Sequence, residues 1–379
     1  MKITKSIIIY GIIIVLCLAA FGGYIATQLN DASDSAETVQ SIDSTIPIAA
    51  STTGSIATDS GISAATSNDT NTKVDEKKQK HIQQVMSREN EKLDPNPIIG
   101  VGKGTDFAKA TSDAINNAGG MQSLIKKGDV VLIKPNLCLQ LESFGSPMTT
   151  DYRVVEEVVR IAKECGASKI IIAEGNFASN AFEDKYNKYD TIKDVEFYNF
   201  NDCEQKDCYE LTPQKSLVGK AIFIPKVYMD ADVVINVAKL KTHFITGVSL
   251  GLKNSIGVPS YKIYGGSSSK DGLHFLGLEE AIIDLNKIRK PEFTIIDGII
   301  GGEGYGPTSN TPVESNVVFA GKDIVAVDTV ALTFMGFDLN AITHVKRAAE
   351  EKLGIADLTK IMVKGANLKT DSMKFVPAT

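Results

Sequence analysis

Asp232-Val-Val-Ile-Asn-Val-Ala-Lys-Leu-Lys-Thr-His243, continued by Gly251-Leu-Lys-Asn-Ser-Ile-Gly257, is the stretch whose reading decides the fold. It begins as a buried strand over Val233–Val237 and opens into Lys239, Lys241, Thr242 and His243, with Lys253 and Asn254 close behind. Apolar runs bounded by polar or turn residues are what fully covered strands of a parallel sheet look like. Ligands of such sheets bind beyond the carboxyl ends of the strands. The polar tail of this strand therefore points to a site.

Three other apolar runs end in the same way. Val130–Ile133 leads into Lys134-Pro-Asn136, Ile170–Ala173 into Glu174-Gly-Asn176, and Phe293–Ile296 into Asp297-Gly298. Helical spacing lies between them: Val154, Val155, Val158, Val159 and Ile161 form a stripe over Asp151–Cys165, with Thr150 or Asp151 as N-cap and Gly166 as the stop. A second helix is expected over Leu276–Arg289. Val317–Ala320 should feed a third that starts near Asp323, and Lys360–Val363 reads as a last strand. The segment from Asn176 to Lys220 is polar and suggests an insertion or small subdomain. The expectation for residues 94–379 is an α/β domain, a mostly parallel sheet covered by helices, whose four polar strand ends converge on one rim.

The first 93 residues are different. Residues 1–5 carry Lys2 and Lys5. Ser6 to Leu29 is a nearly unbroken apolar, uncharged stretch, and a bilayer takes roughly 20 residues to cross. It is expected to be an N-terminal transmembrane helix; the Ala19-Ala20 and Gly22-Gly23 pairs leave a cleaved signal peptide as the alternative. With Lys2 and Lys5 before it and no basic residue until Lys73, the positive-inside rule puts the remainder outside the cell membrane, as an extracytoplasmic domain on a single-pass anchor. Residues 30–93 read as a disordered stalk, with a short, solvated, charged helix over Lys73–Lys92. His81 within it is expected to be of no account.

A net charge of −6 and a pI near 5.4 give no basic footprint for nucleic acid, and that partner is excluded. The five cysteines do not form a disulfide framework or an iron–sulfur motif. Only Cys203 and Cys208 are neighbours, open to pairing in an oxidising compartment or to remaining free thiols.

The rim is cationic. Lys134, Lys241 and Lys253, if close together, lower one another's pKa and can bind a carboxylate or phosphate. Lys241, His243 and Lys134 are the catalytic candidates, and Asn136, Lys253, Asn254 and Glu174 the substrate-binding ones. His243, His274 and Asp297 are the candidate ligands of a divalent metal, while the cofactor is otherwise unassigned. Lys239 is read as solvated, His344 as lying on a surface helix, and the glycine-dense run Gly298–Pro307 as a flexible turn or lid. Asp323 should cap a helix, and Asp328, in an apolar run, needs a backbone or lysine partner.

Val131-Leu-Ile-Lys-Pro-Asn136, Ala238-Lys-Leu-Lys-Thr-His243, Gly251–Gly257, His274, Asp297-Gly298, Gly304-Tyr-Gly-Pro307 and Ala326-Val-Asp328, taken in order, resemble the family of uncharacterised proteins grouped as domain of unknown function 362. The resemblance covers Ile98 to Asp338. Some relatives carry ferredoxin-like cysteine motifs, which would imply redox work; this chain has none. Tyr152 stands where relatives often have proline. The functional expectation is an enzyme acting on a small anion by proton transfer, isomerisation, hydrolysis or redox. The alternatives are a non-catalytic anion- or metal-binding protein and a cell-surface scaffold.

Overall fold

The computed structural model describes residues 68–87, 92–138, 145–176, 182, 188–266 and 270–378. Its strands are β1 (Ile98–Lys103), β2 (Val130–Lys134), β3 (Lys169–Glu174), β4 (Glu196–Asn199), β5 (Cys208–Leu211) and β6 (Ile222–Pro225). They are followed by β7 (Val233–His243), β8 (Gly247–Ser249), β9 (Phe293–Tyr305), β10 (Ser309–Val313), β11 (Val317–Gly321) and β12 (Met362–Lys364). Ten of them build one mixed, mostly parallel sheet in the order β12-β1-β11-β9-β7-β2-β3-β4, with β10 on β9 and β8 on β7; β5 and β6 form a separate antiparallel pair. The run β9-β7-β2-β3-β4 is parallel throughout. That arrangement carries the carboxyl ends of β2, β3 and β7 to one rim.

Side-chain alternation explains the layers. Val131, Ile133, Ile170, Ile172, Ile235, Val237 and Ile295 face one way, onto the helices Phe107–Asn117 and Tyr152–Glu164. Their neighbours in sequence face the other way: Leu132, Ile171 and Val234 meet the helix Leu278–Ile288, and Ala238, Leu240 and Ile296 meet the helix Ile324–Phe334. Both faces are covered, so the strands are apolar on both sides, and each buried Leu or Ile contributes about 1.5–3 kcal/mol. The expected caps form. Asp151 accepts from Arg153 N (3.0 Å), and Asp323 from Ala326 N (2.9 Å).

Four expectations change. The leading strand does not stop at Val237 but runs on to His243, with a register irregularity against β9 between Lys239 and Lys241. Gly298–Pro307 is no lid: β9 continues through it to Tyr305 and pairs with β10. Its glycines serve close approach, since a Cβ on Gly306 would run into the carbonyl oxygen of Thr242. β1 was not foreseen; Gly102 lets the helix Phe107–Asn117 lie against it, because a Cβ there would strike Ala110 O. The charged helix spans Asn68–Ser87 and is docked rather than wholly solvated. Ile82 and Val85 enter the core, and His81 Nε2 lies 3.1 Å from Met229 O. Ile82 and Val85, with Met86 beside them, share one helical face, a stripe masked by the surrounding charge.

In the polar insertion, β4 joins the main sheet while β5 and β6 stand apart; Cys203 and Cys208 are buried free thiols. The apolar stretch Ser6–Leu29 lies outside the described residues, as does the stalk up to residue 67. Among the described residues no helix is long and apolar enough to cross a membrane.

Candidate functional site

A pocket of about 440 Å³ opens at the rim, a size suited to a small molecule. Asn136, Glu174, Lys241, His243, Lys253, Asn254 and His274 all line it. Lys134 stands directly behind, at the end of β2. Its Nζ donates to both carboxylate oxygens of Glu174 (3.0 and 2.9 Å), to Asn254 Oδ1 (3.2 Å) and to Pro135 O (3.1 Å). Burial pushes the Lys134 pKa down and Glu174 pulls it back up. With every donor engaged, Lys134 holds the floor of the site rather than facing its cavity.

Asn254 knits that floor together. Its Oδ1 accepts from Lys134 and from Asn136 Nδ2 (3.0 Å), while its Nδ2 donates to Asn236 Oδ1 (2.7 Å). The short 3₁₀ helix Leu252–Gly257 that carries it is anchored by Asp328, which accepts from Gly251 N (2.7 Å) and Leu252 N (2.9 Å). This is the backbone partner the buried carboxyl required. Burial raises Asp328 to about 7 against the pull of those amides.

Lys239, Lys241 and His243 alternate onto one face of β7, but that face is the interior. Lys239 is not solvated: it pairs across the strands with Asp297 at 2.8 Å, and both side chains are 0% exposed. Asp297 also accepts from Asp151 N (2.9 Å) and Ile299 N (3.2 Å). Lys241 donates to Met148 O (2.6 Å) and Asn136 Oδ1 (3.2 Å) and touches Cys138 Sγ (3.2 Å).

Lys253 is the exception. It is half-buried on the pocket wall, and among the described residues its Nζ has neither a hydrogen-bond nor an ion-pair partner. Burial, with Lys241 nearby, lowers its pKa to about 7.

Burial and neighbouring lysines disfavour the charged form of both pocket imidazoles. His243 Nδ1 accepts from Ile245 N (3.1 Å) and weakly from Thr246 N (3.4 Å), so the ring proton sits on Nε2. Burial and then Lys253 and Lys241 hold its pKa far below the usual range, and burial and Lys253 lower that of His274. In this tautomer His243 presents a donor at Nε2. His344 is not on a surface: it is wholly buried, neither ring nitrogen has a partner among the described residues, and burial lowers its pKa to about 3.

The metal trio is not assembled. Asp297 is enclosed with Lys239, and among the described residues no three His, Cys, Asp or Glu side chains gather in a way that could hold a metal ion. Sequence reasoning missed Lys270 and Cys138. Lys270 lines the pocket and donates to Gly175 O (2.7 Å) and Gly257 O (3.0 Å), with its pKa lowered by burial to about 7. It adjoins the Asp271–His274 segment, which was the available signal. Cys138 shows no sequence signal; it reaches the wall because the chain after β2 turns across the rim.

The fold and pocket define an α/β protein with a lysine-rich site at the carboxyl ends of its parallel strands. Residues 131–333 match the family described as Domain of unknown function (DUF362), and the chain belongs to it. A thylakoid-associated protein of Synechocystis is 30% identical over 267 residues, covering 68% of this chain and 79% of the relative. A solved protein structure from Thermotoga maritima is similar at a TM-score of 0.36 and 13% identity, over 66% of this chain and 60% of that one; so slight a likeness bears no weight for the site.

Proposed function

We propose that the pocket binds a small carboxylate or phosphate and is the site of proton transfer on it, with Lys253 as the acting amine. The observation that carries this reading is the Lys253 Nζ, unpartnered among the described residues, on the wall of a cavity whose other lysines are engaged. A desolvated cation without a counter-ion is costly, and an incoming anion supplies what is missing. An amine near pKa 7 also exists in both forms at neutral pH, which suits a general base. Lys241 and the Nε2–H of His243 add positive charge and a donor, Asn136 and Asn254 fix the wall, and the Lys134–Glu174 pair keeps it rigid.

The test is calorimetric titration of the full chain with a panel of carboxylates and phosphates, followed by mass spectrometry of the recovered ligand. A ligand should bind to the parent, and Lys253→Met should weaken it by about tenfold or more, the value of one charge-assisted hydrogen bond. Equal binding by parent and variant contradicts the assignment. A ligand recovered unchanged identifies a binding protein instead of an enzyme.

Placement at a membrane belongs to the same reading. It is supported by the apolar run Ser6–Leu29 and by the thylakoid-associated relative, and the charge rule puts the domain outside. Protease digestion of intact cells should cleave the domain; protection until lysis would place it inside.

A further inference from the structure

The mouth of the pocket is as distinctive as its floor. Phe244 and Ile245, in the turn between β7 and β8, line the pocket yet stay 49% and 51% exposed. Tyr305, 58% exposed, stacks on Phe244 with ring centroids 5.5 Å apart, and Phe244 stacks on His243 at 5.3 Å. Phe275, 88% exposed, follows the lining residue His274 directly. This turn is built rather than loose. His243 Nδ1 caps the amides of Ile245 and Thr246, and Phe244 N donates to Gly306 O (3.0 Å). Phe244, with Tyr305 stacked on it, is therefore held outward, in water, at the entrance.

Exposed apolar side chains grouped at a pocket mouth, as Phe244, Ile245 and Tyr305 are, mark a place where something apolar binds. A wholly polar anion such as inorganic phosphate has no use for them. Polarity is graded along the pocket, with the free amine of Lys253 inside and aromatic and aliphatic surface at the exit. We infer that the occupant is an amphiphile, with a carboxylate or phosphate head on Lys253 and an apolar chain leaving over Phe244, Ile245 and Phe275. This inference rests on the anion reading above and adds the class of molecule that bears the anion. The same chemistry is offered by a free alkyl phosphate or fatty acid and by an anionic membrane lipid.

The experiment uses the full chain in nanodiscs of phosphatidylcholine, titrated calorimetrically with inorganic phosphate, butyl phosphate and octyl phosphate below self-association. Affinity should rise along the series, by about tenfold or more from inorganic to octyl phosphate, as methylenes leave water. In the double variant Phe244→Ser/Phe275→Ser the ratio of octyl to inorganic phosphate affinity should fall toward unity. In Lys253→Met all three probes should lose affinity. Phosphatidic acid added to the discs separates the sources: lost octyl phosphate binding assigns the membrane lipid, unchanged binding the free amphiphile, and both support the inference. A flat series with Lys253-dependent phosphate binding overturns the amphiphile and leaves the anion site standing. No binding of any probe overturns both, and a ratio that survives the double variant overturns the role of the rim.

Discussion

Lys239 and Lys253 come from the same stretch of sequence, yet the two regions in which they end differ in one respect that organises the molecule. Around Lys239 everything is matched: its ammonium meets Asp297, and Asp297 is completed by the amides of Asp151 and Ile299. Around Lys253 the backbone is equally well held, through Asp328 and Asn254, but the ammonium itself has no partner among the described residues. A satisfied buried charge is part of the frame. An unsatisfied one, on a frame this complete, is the observation on which the proposed anion site rests.

The contrast can be broken at several points. The largest effect is expected at Lys239→Met, which strands the Asp297 carboxylate in the interior. Urea unfolding should show a loss of about 3–5 kcal/mol, with much of it regained in Lys239→Met/Asp297→Leu. A loss below the error of the measurement would mean that the pair is not buried as described. Next comes Asp328→Ala, which leaves the amides of Gly251 and Leu252 unsatisfied. It should cost about 1–3 kcal/mol and also weaken anion binding, because the segment carrying Lys253 loses its anchor. Unchanged binding in a folded variant would uncouple the anchor from the site.

Lys253→Met should behave in the opposite sense, keeping or gaining stability while losing the anion. The same variant gives a dependence on pH. Lys253 has its pKa lowered from 10.5 to about 7, so between those values the unfolded chain binds a proton that the folded chain has shed. Stability from this group then rises with pH. Its cost is complete below about pH 7 and vanishes toward 10.5. The stability difference between Lys253→Met and the parent should therefore be largest near pH 7 and shrink by pH 10, as followed by thermal unfolding across that range; a difference that grows with pH contradicts the assignment.

Much of this frame was legible in the sequence, and the reason is local. Strand runs such as Val130–Ile133 and helix stripes such as Val154–Ile161 write their period directly, and polar residues at strand ends mark a rim. What was not legible depends on register and on distant pairing. Lys239 reads as solvated until β7 is set beside β9, which places Asp297 opposite it. Lys134, Lys241 and Lys253 look alike in sequence. Only tertiary neighbours, Glu174 for the first and Met148 O for the second, show that the third alone of these lacks a partner among the described residues. The glycine-dense run Gly298–Pro307 suggests a loop because the reasons for its glycines lie elsewhere in the chain, Pro147 O beside Gly302 and Thr242 O beside Gly306.

The central claim, that Lys253 is a desolvated amine without a partner among the described residues, is tested most directly by competitive acetylation of the full chain with trace acetic anhydride across pH, reading each lysine by peptide mass spectrometry. Lys253 should label with a midpoint at about 7, and a bound anion should raise that midpoint. A midpoint near 10.5, or a lack of reaction like that expected of the enclosed Lys239, would contradict it.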